Sequence, residues 1–449
     1  MNRYLEYLLK LKLFVAFLLL LINGYGQEIS TINIESSLKI AGANNLTISK
    51  LNLNKTVLEA DLLISKGWWI PEIFTGIQTR QLQGAAMNGN GSFFTEVNQQ
   101  NLWNGFGIDA LWNIGEGIYK TKASELKLEA NTYKTTTEKN IVLLDVADTY
   151  YQLLIGFLKA NAYHQLHTVA NNISQQLALQ VGVGLAYESE LLLAQSNVHH
   201  LKIQELNQQK YYYKKSAQLS RLLNLKPFNN LIPTDTILKP IELVNIDSLE
   251  NLGSLGNNRA EIQEAKLLLK AVSIEKLTTT KAFFIPNVRF NSFGSLYGGL
   301  LGPVSLMPSS PGSEIKQLYP TTSLNFSLQW KIPIEKLIYN GPTKKMEASE
   351  QIKELEIKEI KAAINQDIVI AKQNILIGKQ QTELAKKAYL QSKEAFNQCA
   401  KRQELGTIRP FELLQAQEIF IQSKLDYIEA IANYNTAQYA FQVATGINL

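Results

Sequence analysis

The stretch LGTIRPFELLQAQ, Leu405 to Gln417, has an echo in VGLAYESELLLAQ, Val183 to Gln195. Both read Gly, five residues, Glu-Leu-Leu, one residue, Ala-Gln. The glycines are Gly184 and Gly406, and 406 − 184 = 222. DVADTYYQLLIG ends at Gly156 and DIVIAKQNILIG at Gly378, again 378 − 156 = 222. Upstream, WWIPEIFTG around Pro71 matches FFIPNVRFN around Pro286, where 286 − 71 = 215. The offset changes by seven, so an insertion lies between these points. So long a period does not describe a solenoid. It describes a duplicated half-molecule: aromatic-Ile-Pro, a β-like region, a long helix, a glycine, a second helix.

The β-like regions alternate. Leu324, Phe326, Leu328, Trp330 and Ile332 share one face, with Asn325, Ser327, Gln329 and Lys331 on the other. In the first half Phe106, Ile108, Ala110, Trp112 and Ile114 oppose Gly105, Gly107, Asp109 and Asn113. Period-two alternation is the strand signature. The turn-rich segments GAAMNGNGS, 84–92, and GGLLGPVSLMPSSPGS, 298–313, separate strand partners. Each half offers two strands. Such alternation fits a half-buried sheet in a soluble domain, and in an exported chain it also fits a membrane barrel with a wet lumen. Four strands close no lumen, since roughly eight is the practical minimum, so several chains would have to share such a barrel.

The helices are long. Ile118 to Gln180 contains no proline, and Gly156 is its only glycine. At 1.5 Å per residue that is ~90 Å of rod. Thr343 to Glu404 is interrupted only by Gly378. Phe420, Tyr427, Tyr434 and Phe441 recur every seven residues, the spacing of a supercoiled packing seam. Gly184 and Gly406 therefore read as the turns of two helical hairpins, where glycine supplies the left-handed conformation at a helix end. Pro410 suits the first turn of the following helix. Glu190 and Glu412 fall near the helix starts, where negative charge is favoured.

The bulk numbers exclude several classes. The net charge is +5 with no concentrated basic block, so nucleic acid is not indicated. The single cysteine, Cys399, forms neither an internal disulfide nor a cysteine metal cluster. His164 and His167 are three apart, but no nearby carboxylate completes a ligand set, and no metal or cofactor is expected. Arg3, Lys10 and Lys12 precede the apolar run Leu13 to Ile22, followed by small residues at Gly24 and Gly26. Residues 1–26 read as a secretory signal peptide. That run is ten residues, short of the ~20 a spanning helix needs. No later stretch is apolar for 18 residues, so any membrane residence is by strands.

Together these features resemble the TolC-like outer membrane factors, the exit ducts of bacterial efflux pumps and type I secretion systems. The resemblance spans the mature chain. It rests on the duplication, the element order, the segments VGLAYESEL and LGTIRPFELLQAQ, and the tail DYIEAIANYNTAQYAFQVATGINL, Asp426 to Leu449. It implies a mixed α+β membrane protein. Three chains would pool four strands each into a 12-stranded transmembrane barrel, continued by a long helical barrel of coiled-coil hairpins in the periplasm. Residues 27–224 would form the first repeat, an N-terminal helix, two strands and a long hairpin. Residues 225–258, with Pro227, Pro233 and Pro240, would form an equatorial linker, and 259–449 the second repeat.

The resemblance also implies roles. The lipid-facing barrel would include Phe106, Ile108, Trp112, Leu324, Phe326, Leu328 and Trp330. A periplasmic adaptor, itself joined to an inner-membrane pump, would dock at Gly184, Leu185, Ala186, Gly406, Thr407, Ile408 and Arg409. Members often carry aspartates six and nine positions after the second tip glycine. Here those positions are Glu412 and Gln415, and with Glu190 they are the candidate pore constriction. An arginine common two positions after that glycine is Ile408 here, with Arg409 beside it. The implied protein is a passive conduit in the bacterial outer membrane. The alternative is a periplasmic coiled-coil adaptor or structural rod, which would lack the paired aromatic strands. No nucleophile elbow, metal motif or paired-acid signature marks an enzyme.

Overall fold

Four helix ends in the computed structural model close with one hydrogen-bond pattern. At the first, Gly184 N–H donates to the Val181 carbonyl at 3.0 Å and Leu185 N–H to Gln180 at 2.8 Å. Gly406 and Thr407 repeat this with Gln403 at 3.0 Å and Arg402 at 2.9 Å. Asn224 and Leu225 do so with Arg221 and Ser220, and Gly446 and Ile447 with Val443 and Gln442. The pivotal residue has positive φ each time: 77° at Gly184, 66° at Gly406, 52° at Asn224 and 83° at Gly446. This is the Schellman closure, which satisfies the last carbonyls of a helix. The two outer closures obey the duplication, since 446 − 224 = 222.

The structure describes residues 29–87, 91–226, 230–235, 237–243, 256–301, 318–334 and 338–447. The signal-peptide segment 1–26 lies outside them. In order the elements are β1 (Ile29–Ile32), α1 (Ile34–Asn44), α2 (Leu46–Lys66), β2 (Glu72–Met87), β3 (Phe93–Trp112), α3 (Ile114–Gly182), α4 (Glu188–Leu222), β4 (Asn230–Pro233), α5 (Ala260–Thr280), β5 (Asn287–Leu301), β6 (Leu318–Gln329), α6 (Gly341–Glu404) and α7 (Pro410–Thr445). Single 3₁₀ turns precede β2, α5 and β5. The strands outrun the alternation read from sequence. β2 and β5 continue to Met87 and Leu301, into segments expected as loops, while 88–90 and 302–317 lie outside the described residues.

The chain divides into two compact units, and each draws on both halves of the duplication. One comprises the residues to Leu51, Thr135–Arg259 and Ala363–Leu449; the other comprises Asn52–Lys134 and Ala260–Ala362.

In the first unit the core is helical. Leu143, Val146, Ala147, Tyr150, Leu153 and Leu154 of α3 are buried with Tyr212 and Leu219 of α4 and Ala432 and Tyr439 of α7. α3 is apolar enough by composition to cross a membrane, a feature the sequence reading passed over. Half of that apolar window is buried within the chain, which fits a core helix. Gly156 and Gly378 set the approach of the hairpin partners. A Cβ at Gly156 would lie 3.1 Å from the Tyr212 backbone, and one at Gly378 would lie 3.4 Å from the Tyr434 ring. These tyrosines are themselves duplicates, 434 − 212 = 222. The heptad aromatics pack: Phe420 stacks on Phe396 at 5.4 Å, Tyr427 stacks on Tyr389 at 5.7 Å, and Phe441 is fully buried.

The segment between the repeats is tied down. β4 pairs in parallel with β1, Ile29 opposite Asn230 and Ile32 opposite Pro233. Tyr212 hydroxyl donates to the Leu231 carbonyl at 2.7 Å, and Tyr150 hydroxyl to Asp235 at 2.5 Å. Asn435 of α7 accepts from Ile241 N–H at 2.9 Å and donates to the Lys239 carbonyl at 2.9 Å.

In the second unit a four-stranded antiparallel sheet has the order β2-β3-β5-β6. Glu72 faces Asp109, Asp109 faces Asn291 and Asn291 faces Asn325. β2 and β6 are the edges.

Candidate functional site: sheet faces and hairpin tips

Directly opposed residues share a face, so the register sorts the side chains. Ile73, Ile108, Ser292 and Leu324 form one cross-strand row, and Phe290 faces Ala110 and Phe326 on the same side. Ile73 is 80% exposed, Leu324 71% and Phe106 68%; Phe326 and Leu328 are also exposed, while Ile108 is only just so. Trp112 is half-buried, and its indole N–H donates to the Trp69 carbonyl at 2.7 Å. Trp330 lies one residue past β6 and is exposed.

The opposite face carries the polar ladder. Asn291 amide donates to Asp109 at 3.1 Å, and the Arg289 guanidinium lies 3.8 Å from the same carboxylate. It also carries aromatics that single-strand alternation missed. Phe74 stacks on Trp103 at 6.5 Å, and Phe293 meets Trp103 edge-on at 6.3 Å. A Cβ at Gly107 would lie 2.5 Å from the Phe74 ring, and one at Gly105 would lie 2.4 Å from the Gly294 carbonyl. The signal was Gly-x-Gly inside a strand, which marks close approach by a neighbour.

The two hairpin tips share one apolar cluster. Ile173 and Leu177 of α3, Ala194 of α4, Phe396 of α6, Ile408 and Leu413 are buried together, with Ala186 and Cys399 packed against them. The residues expected at the docking tips differ in exposure. Ile408 is 9% exposed, with its side chain in the cluster that joins the two tips. Ala186 is half-buried for the same reason. Gly184, Leu185, Gly406, Thr407 and Arg409 remain exposed. Val183, Tyr187, Leu405 and Phe411 join Leu185 as exposed apolar side chains. Their positions beside the turn glycines were legible, but their exposure depends on which residues the cluster takes inward.

The constriction candidates separate. Glu190 accepts from Tyr187 N–H at 3.3 Å and so caps α4. Glu412, in the first turn of α7, is exposed. Gln415 lines a groove of about 560 Å³ between α4 and α7, with Leu193, Asn197, His200, Phe411 and Gln417. The last residues of the two echoing stretches part company. Gln195 is exposed, while Gln417 is fully buried, accepting from the Asn197 amide at 3.3 Å and donating to the Leu166 carbonyl at 3.4 Å. Among the described residues no three His, Cys, Asp or Glu side chains converge as a metal site.

No protein-family model matches the sequence, and no curated protein does. Solved structures do. A membrane protein from Pseudomonas aeruginosa has a TM-score of 0.77 at 13% identity, covering 92% of this chain and 93% of its own. The outer membrane protein VceC of Vibrio cholerae gives 0.74 at 13%, covering 92% and 96%. The CmeC outer membrane channel of Campylobacter jejuni gives 0.74 at 15%, covering 92% and 85%. The chain has the fold of the TolC-like outer-membrane channels.

Proposed function

We propose that the chain is the outer-membrane exit duct of a tripartite efflux pump or type I secretion system. The observation that carries this is the open sheet. Its edge strands are 16 and 12 residues long, and one of its faces is apolar and exposed. Long unpaired edges invite pairing. With four alternating strands, β6 of one copy runs antiparallel to β2 of the next, so any number of copies closes in register of direction. Two copies would make eight strands, the practical minimum, with an interior that side chains fill or that holds one small ligand. Three copies would make twelve, wide enough for a duct.

The barrel would place Ile73, Phe106, Ile108, Leu324, Phe326 and Leu328 toward lipid and the Asp109–Asn291–Asn325 ladder toward water. The helical hairpins would continue the duct into the periplasm. The adaptor would dock on Leu185, Thr407, Arg409 and the apolar knobs beside them, since exposed apolar clusters rimmed by polar residues mark interaction sites. Transport is passive, and selection lies with the pump.

The test is reconstitution of the full chain in planar bilayers, with gel migration of unheated outer-membrane extracts. Discrete conductance steps and a heat-dissociable trimer are expected. A monomer that stays in the periplasmic fraction overturns the reading. Docking is tested at the tip glycines. Gly406→Val should abolish export, because β-branched residues resist positive φ. Gly406→Asn should retain it, because Asn224 already occupies the same closure.

A further inference from the structure

Two turns of one wording lead into the sheet. Lys66-Gly67-Trp68-Trp69-Ile70-Pro71 precedes β2, and Lys281-Ala282-Phe283-Phe284-Ile285-Pro286 precedes β5. Each closes as a 3₁₀ turn, Ile70 N–H to Gly67 at 3.0 Å and Ile285 N–H to Ala282 at 3.1 Å. The strand exits match as well: Trp112-Asn113-Ile114 at the end of β3 and Trp330-Lys331-Ile332 after β6. The strands between have drifted, with 20 residues in β3 against 12 in β6. Their bases keep the Lys, the aromatic pair and the Ile-Pro.

These turns are seated on the start of α3. A Cβ at Gly117 would lie 2.4 Å from the Trp68 ring, and one at Gly115 would lie 2.8 Å from the Ala282 carbonyl. Trp112 binds the Trp69 carbonyl, and the Phe283 and Phe284 rings lie 4.2 Å apart. Trp69 and Phe284, in these turns, stand 58% and 71% exposed, and Trp330, just past β6, 60%. Exposed aromatics at the end of an apolar strand band are what a membrane–water boundary accommodates. The cations fit that level. Lys281 and Lys331 are exposed and make no ion pair among the described residues, while Lys66 shares Glu125 at 3.5 Å. Glu116, which lines the same cleft as Lys331, is taken by Lys120 at 2.5 Å.

We propose that this aromatic collar sits at the headgroup level of the periplasmic leaflet, and that Lys281 and Lys331 bind the phosphates of anionic phospholipids there. The inference rests on the strands being the membrane part. Four of the five tryptophans, Trp68, Trp69, Trp112 and Trp330, lie in the collar, so native fluorescence reports its depth.

The full chain is inserted into vesicles of phosphatidylcholine, with and without phosphatidylglycerol, and quenched with lipids brominated at different depths. Strongest quenching is expected from bromines nearest the headgroup. Phosphatidylglycerol should raise the temperature of trimer dissociation in the wild type and in Lys281→Arg/Lys331→Arg. Lys281→Gln/Lys331→Gln should lose that rise, with preference for the anionic lipid falling about fivefold per lysine. An inserted Gln variant that keeps the full rise, or quenching strongest from the bilayer centre, overturns this proposal alone. Failure of the wild type to insert in either vesicle overturns the membrane reading beneath it.

Discussion

A methyl group added at Gly156 meets tighter surroundings than one added at Gly378. At Gly156 it lies 3.0 Å from Tyr211 and 3.1 Å from the Tyr212 backbone, tighter than most such contacts, so α4 must give by a few tenths of an ångström. Added at Gly378 it makes ordinary contact with Tyr434 at 3.4 Å and removes a flexible residue from a helix interior. Gly156→Ala should therefore destabilise by about 1–3 kcal/mol. Gly378→Ala should be neutral or gain up to about 1 kcal/mol. Thermal loss of the helical signal of the detergent-solubilised protein checks both. Equal losses would mean that the two crossings are equally tight. The duplicate glycines were plain in the sequence, but the difference between them lies in tenths of an ångström of interhelical spacing. The same holds for Ile408, whose place beside a turn was legible and whose burial was not. Glu412 poses the opposite case, a position read from resemblance whose side chain is exposed. If copies of Glu412 ring the entrance, mutual repulsion and field focusing attract cations. Glu412→Gln should then lower cation selectivity and multivalent block in planar bilayers. Unchanged selectivity, with stability reduced by about 0.3–1 kcal/mol, would leave Glu412 as a helix-start residue.

At the scale of the element, hydrophobic period carried most of the fold. The long helices, both turns and two strands per half followed from spacing alone, because each element repeats a local pattern over many residues. The β1–β4 pair did not. It joins ISTI to NLIP across about two hundred positions, and four-residue strands carry too little pattern to be seen before their partner is known. Polar knots between helices were invisible for the same reason. Glu205 of α4 is almost fully buried, accepting from Lys202 at 3.0 Å and Gln209 at 3.2 Å, with His164 of α3 at 3.2 Å. Burial pushes its carboxyl up, but the hydrogen bonds from Lys202 and His164 outweigh that and hold it below its ordinary value. The folded value is depressed, so the contribution is fully present above the unfolded pKa, about 4.3. It is lost as pH falls through the folded value. Glu205→Gln should lower stability by about 1–2 kcal/mol at neutral pH. The gap between variant and wild type should close in acid. A gap that persists below the ordinary carboxylate range would assign the loss to packing and not to charge.

For the whole molecule the decisive feature is incompleteness. Four strands with both edges unpaired and one apolar face exposed do not make a finished sheet in water. The alternation alone suits a half-buried soluble sheet as well as a barrel wall, and it is the exposure of the apolar face together with two long unpaired edges that marks this sheet as unfinished. What the sequence withheld is how crowded the polar face is. Phe74 and Phe293 crowd onto Gly107, with Trp103 between their rings; the Gly-x-Gly signalled a close approach, but which side chains fill the room depends on the neighbouring strands. The face assignment yields a sharp contrast between adjacent residues. Phe326 and Asn325 sit side by side in β6 and point to opposite faces. Phe326→Arg places a charge in hydrocarbon, at about 2–4 kcal/mol per strand near the bilayer midplane. In a closed oligomer every copy bears that cost at once. Asn325→Arg adds a charge to a watered face beside Asp109 and Asn291, which can accept it. The expected outcome is loss of heat-dissociable trimer from outer-membrane extracts for Phe326→Arg and normal assembly for Asn325→Arg. Equal assembly of the two, or the reverse order, would turn the sheet inside out and with it the assignment of lipid and lumen.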